Sequence, residues 1–232
     1  MKNNNPSESN QRRTFLKQAA TGAAVLGTGM LALPLPLAAA EMVLPDVAEA
    51  DKWFKQVKGK HRMVFDVTQP NGSLPFAWPR VFLLTNEKTG TPENECGVVI
   101  ILRHSAIPYA FGSQLWEKYK FGEMFKIIDD STKAAAIQNP FWEPKPGIFK
   151  SPGLGAIQIG INELQASGVM FCACDVAITV HTAVIAAATK QDAATVKQEW
   201  LANLLPGIQV VPSGIWAVGR AQEHGCTYCF AG

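Results

Sequence analysis

Two cysteines one residue apart, Cys172 and Cys174, close the apolar run of "GVMFCACDVAITV" (168–180), where an alanine-rich helical pattern begins. Thiols at the exit of a strand and the mouth of a helix suit core packing, a disulfide, metal ligation or a working nucleophile. Cys174 has a physical case for the last. Ligands of open parallel sheets bind at the carboxyl ends of strands. The unpaired N–H groups of the following helix also favour a thiolate. Asp175 is placed to cap that helix, yet its charge lies beside the sulfur and opposes the shift. Each effect is about 1 kcal/mol or less when exposed, so the sequence leaves the sign open. A buried, inert thiol is the alternative. Cys172, two residues back, is expected on the same face, as a core residue or as a resolving thiol. A disulfide across one intervening residue would be strained.

His104 closes a second apolar run, "GVVIILRH" (97–104), on what would be the same carboxyl edge. Beside the Cys174 strand its imidazole could act as a base for the thiol or as a metal ligand. Otherwise it is a histidine hydrogen-bonded at a strand end. Arg103 is the natural anion partner, although one of two neighbouring side chains must face away. His61, His181 and His224 carry weaker cases. "CTYC" (226–229) lacks the histidine of a haem-attachment motif and does not open a helix as a thioredoxin-like motif does. As a strand it sends Cys226 and Cys229 to opposite faces. A four-thiolate metal site from the pairs 172/174 and 226/229 matches no common zinc spacing. No cofactor and no metal ligand set is assigned. Trp78, Trp116, Trp142 and Trp216 read as core and lid packing.

The compartment decides what these thiols do. "QRRTFLK" (11–17) carries the pair Arg12 and Arg13, followed by a weakly apolar stretch rich in Ala, Gly and Thr that Pro34 and Pro36 interrupt. "AAA" at 38–40 offers a small-residue cleavage site. The pattern predicts a twin-arginine signal peptide over 1–40, recognised by the Tat translocase, rather than a membrane anchor, and so a periplasmic protein. The whole chain has a formal charge of +2, and residues 1–40 hold four basic and one acidic residue. The remainder is therefore near −1, which gives no electrostatic case for nucleic acid or anionic membranes. All five cysteines lie beyond residue 40, an odd number for an oxidising compartment.

Residues 41–60 read as a leading segment with a short helix around Trp53 and Phe54. Strands are expected over 61–68, 97–104, 168–174, 208–214 and 226–232. Helices are expected over 76–90, 110–128, 156–167, 175–189, 192–207 and 214–225. In the helix after Cys174, Val176, Val180 and Val184 recur at spacing four and read as a buried stripe. "NPFWEPKPGIFKSPGLG" (139–155) is too long for a tight connection and reads as a lid. The alternation predicts an α/β, three-layer sandwich around a mainly parallel sheet of about five strands, occupying 61–232.

The tail "LLPGIQVVPSGIWAVGRAQEHGCTYCFAG" (204–232), preceded by a glycine-led strand ending in cysteine, resembles the DsrE/DsrF-like family. Members of that family end in a segment of the type LLPGVxVVPAGVxxLxxxQxxGYxY. The resemblance covers roughly 61–232 and is strongest over 168–232. It implies a flavodoxin-like fold, assembly into trimers or hexamers, and transfer of sulfur as a persulfide on a cysteine six residues after the strand's opening glycine. Counted from Gly168, that cysteine is Cys174. An export signal and an insertion over about 125–155 are additional to the pattern. With His104 as its helper, the thiol would be surrounded by Arg103, Asp175, Cys172 and Ser213, and a protein or small thiol would donate or accept the sulfur. A non-catalytic oligomer that binds a small ligand or metal in a carboxyl-edge pocket under 139–155 is the second reading.

Overall fold

The computed structural model describes residues 45–232; the twin-arginine segment lies outside them. Helix α1 (Val47–Phe54) opens this region, with the Asp46 carboxylate accepting the N–H groups of Ala48 and Glu49. Five strands follow in chain order: β1 (His61–Val67), β2 (Cys96–Leu102), β3 (Met170–Cys174), β4 (Ile208–Val211) and β5 (Thr227–Phe230). They form one sheet in the order β4-β3-β2-β1-β5, and every pairing is parallel. The expected α/β three-layer sandwich is therefore present, with a sheet parallel throughout.

Strand β2 sits at the centre, and all seven of its residues are buried, as a continuous apolar run in a doubly covered sheet requires. Alternation sorts them between two cores. Val98, Ile100 and Leu102 join the larger cluster, beneath α2 (Leu74–Lys88), α6 (Asp175–Thr189) and α7 (Ala193–Ala202). Val99 and Ile101 join the smaller one, with Ala50 and Phe54 of α1 and with Ala217 and Ala221 of α8 (Gly214–Glu223). Each buried aliphatic side chain contributes about 1.5–3 kcal/mol.

The topology explains which helix covers which face. From β1 to β2 to β3 to β4 the chain steps in one direction, and right-handed crossovers put all three connections on one face. From β4 it returns across the sheet to β5 beside β1, so α8 lies on the opposite face. At their carboxyl ends the neighbours β3 and β4 thus lead to helices on opposite sides. That is the topological switch at which open α/β sheets bind ligands.

Several local expectations are corrected. The helix expected over 110–128 is a 3-10 turn at His104–Ala110 followed by α3 (Ser113–Tyr119) and α4 (Phe121–Met124), with Lys120 at φ +51° between the helices. Within the second helix the backbone passes close to the following segment: a Cβ on Gly122 would lie 2.2 Å from the Ala136 carbonyl oxygen. The helix expected over 156–167 is α5 (Ile161–Ala166), begun where the Glu163 carboxylate accepts the Gly160 N–H at 2.8 Å. Residues before it form a small antiparallel hairpin, Lys150–Ser151 with Gly155–Ala156. The valine stripe of α6 is not buried: Val180 and Val184 are exposed, and the buried face is Ala177, Ile178, Thr182, Ile185 and Ala186.

Candidate functional site at the carboxyl edge

Cys174 is the last residue of β3, opposite Val211 of β4, and so occupies the switch crevice. It is also the N-cap of α6: its Sγ accepts the Ala177 N–H at 3.3 Å. The sequence expectation gave the cap to Asp175, but Asp175 is the first helical residue. Its buried carboxylate pairs with Lys197 Nζ at 2.8 Å, and that ammonium also donates to Thr179 Oγ1 at 2.9 Å. The negative charge beside the sulfur is thereby compensated from α7. The sulfur is less open than a strand end suggests, since Cys174 is only 5% exposed.

Ser213 caps α8 from the other side of the crevice, its Oγ accepting the Trp216 N–H at 3.1 Å. Two helix N-termini, one on each face of the sheet, therefore follow the adjacent strands β3 and β4. Arg103 follows β2 and lies along the start of α8; a Cβ on Gly214 would come within 2.4 Å of the arginine Cδ. Its guanidinium is bidentate on Asp66, Nε to Oδ1 at 2.6 Å and Nη2 to Oδ2 at 2.8 Å. Tyr228 of β5 donates to the same carboxylate at 3.0 Å. The hydrogen bond to Asp66 raises the Arg103 pKa further, against partial burial. Nη1 has no partner among the described residues. Arg103 is thus a fixed cation whose free N–H groups remain available to an anion.

Asp66 and Tyr228 were not singled out from the sequence. A carboxylate within the strand run "HRMVFDVT" was the available signal, since a buried charge needs a partner.

His104 lies near the Cys174 strand, because β2 pairs with β3. Its imidazole is nevertheless exposed and Nδ1 is 2.7 Å from Ser105 Oγ. The backbone at φ +50° turns the chain into the 3-10 segment. No hydrogen bond joins His104 to Cys174 among the described residues, so the base role is not set up by this arrangement. The His104 carbonyl instead accepts from His181 Nε2 at 3.2 Å, and burial lowers the His181 pKa.

Cys172 and Cys174 do not share surroundings as expected. Cys172 is fully buried in the cluster under α1 and α8, while Cys174, having turned to cap α6, belongs to the larger cluster. Burial pushes the Cys172 thiol pKa well up, that of Cys226 up to about 11 against the pull of Arg62, and those of Cys96 and Cys229 upward. Cys226 and Cys229 pack against different clusters, as strand alternation predicts. β3 and β5 are separated by β2 and β1, about 14 Å at sheet spacing. The four-thiolate site is thereby excluded, and the described residues contain no group of three or more His, Cys, Asp or Glu arranged to hold a metal.

The 139–155 segment does line a cavity at the carboxyl side, of about 510 Å³, together with residues 126–131, Pro70, Gly72 and Tyr109. Cys174, Arg103, His104 and Ser213 are not part of its wall. No helix among the described residues is long and apolar enough to cross a membrane.

No protein family model matches the chain, and no curated protein matches it. Among solved structures it is similar to a protein of unknown function, MTH1491 from Methanobacterium thermoautotrophicum. The identity is 15%, with 74% of this chain and 99% of the other covered and a TM-score of 0.38.

Proposed function

We propose that the chain is a DsrE-like sulfur carrier of the periplasm, with Cys174 as the thiol that accepts the sulfur. The observation that carries this reading is the position of Cys174 at the switch crevice, its Sγ accepting the Ala177 N–H at the start of a 15-residue helix. The thiolate attacks the terminal sulfur of a persulfide donor, R–S–SH. A sulfur–sulfur bond forms at Cys174 as the donor's own breaks, and the electron pair leaves on R–S⁻. Sulfur is transferred without net oxidation. A negative charge on the transferred sulfur would be favoured by the α6 dipole and by the Arg103 cation beside the crevice. The low exposure of the sulfur restricts the reaction to donors that fit the crevice.

Incubation of the reduced protein with glutathione persulfide tests this. Peptide mass mapping should find one added sulfur atom on Cys174, none on Cys172, and none in Cys174→Ser. His104→Ala should react at an almost unchanged rate, because that imidazole is engaged by Ser105. Addition at the more exposed Cys229 alone would overturn the assignment.

The periplasmic part of the proposal rests on "QRRTFLK" and the small residues at 38–40. Replacing Arg12 and Arg13 by lysine should strand the precursor in the cytoplasm, as cell fractionation would show. Normal export of that variant would remove the Tat route.

A further inference from the structure

The cavity beside 139–155 is built differently from the cysteine crevice. At about 510 Å³ it has the size of a small-molecule site. Its walls are aromatic. Phe141 and Phe149 stack at 5.0 Å with 8° between planes, and Tyr109 meets Phe141 edge-on at 5.4 Å. Trp142 adds a fourth ring. Asn139 fixes this shape: its Nδ2 donates to the Tyr109 and Phe111 carbonyls at 3.0 Å each, and its Oδ1 accepts the Phe141 N–H at 3.1 Å. Both of its amide N–H donors are committed to the wall, and neither is left for a ligand.

Tyr109 is the exception. The residue is only 1% exposed, and its hydroxyl makes no hydrogen bond to any described residue. Tyr109 is one of the residues that line the cavity. Burial without a partner is unfavourable, and an acceptor on a ligand would relieve it. Burial and the Asp130 charge both raise the phenol pKa, so the group remains a donor.

The charged residues of the wall are confined to its rim. Lys126, Asp130, Glu143 and Lys145 are exposed, and Asp129 is half-buried and committed to Ser131. Asp130 acts on the Tyr109 phenol only from this exposed rim, so a charged ligand seated among the rings would be poorly compensated. We infer that this cavity binds an uncharged aromatic molecule bearing a carbonyl acceptor, with the Tyr109 hydroxyl as donor and Phe141 and Trp142 as walls. The site is independent of the sulfur chemistry proposed for Cys174.

Calorimetric titration of the full chain with methyl naphthyl ketone tests this. Saturable binding is expected, weakened about fivefold to tenfold in Tyr109→Phe, which keeps the ring and loses the donor. Naphthoate and naphthylmethylammonium, of similar shape but charged, should bind more weakly than the ketone. Cys174→Ser should bind the ketone as the parent does, which separates this site from the sulfur carrier. Absence of saturable binding, tighter binding of either ion, or an unchanged affinity in Tyr109→Phe would each overturn the inference.

Discussion

Asp66 receives three hydrogen bonds at the carboxyl end of β1, two from Arg103 and one from Tyr228. The carboxylate is almost fully buried and the guanidinium partly so. Removing either partner leaves the other charge poorly compensated, so Asp66→Asn or Arg103→Met should each cost about 2–4 kcal/mol in urea unfolding. The double variant should cost less than the two together by about 1 kcal/mol or more. Strictly additive costs would show that the pair is not coupled. Such a network is hard to read from the sequence because its members lie 37 and 162 residues apart from Asp66. Cys174, Arg103 and Ser213 were legible for the opposite reason: each stands where an apolar run ends, and a parallel sheet gathers such ends on one edge. The direction of the His104 ring was not legible, since it follows from one positive φ and a neighbouring hydroxyl.

Helix α6 shows where periodicity loses its power to discriminate. Valines at spacing four mark one stripe and Ala177, Ile178, Ile185 and Ala186 mark another, so the helix is apolar nearly all round. Hydrophobic spacing does not select a face in such a helix; the sheet, and packing against α7, does. The same helix tethers the 3-10 segment through His181, which donates to the His104 carbonyl and meets Phe125 edge-on at 4.8 Å. Burial disfavours the imidazolium, so the folded pKa lies below the ordinary 6.5. As pH falls the unfolded chain takes up this proton first. The contribution to stability is complete above the ordinary histidine pKa and declines as pH drops through it. Urea midpoints should therefore fall between about pH 7 and about pH 5. His181→Phe, which keeps a ring against Phe125, should flatten that dependence. An identical slope in the variant would place the titrating group elsewhere.

At the scale of the whole molecule, apolar side chains are exposed on two surfaces of the described residues. The outer face of α6 presents Thr179, Val180, Ala183, Val184, Ala187 and Ala188 without one charged side chain. Val180 and Val184 are 53% and 41% exposed, and Tyr228 and Phe230 add exposed rings on the edge strand β5. Contiguous exposed apolar surface of this kind marks association sites, and an uncovered edge strand invites pairing. These surfaces support the assembly into a trimer or hexamer that the DsrE-like reading carries. A carboxylate on the α6 face separates assembly from folding, because substitutions at exposed positions change stability by about 0.5 kcal/mol or less. Val184→Glu should therefore keep the thermal midpoint of a dilute sample and shift sedimentation from trimer or larger toward monomer. If the unsubstituted protein sediments as a monomer at every concentration, the assembly proposal fails. If Val184→Glu sediments with the parent, the contact lies off α6, and the β5 edge is the surface to charge next.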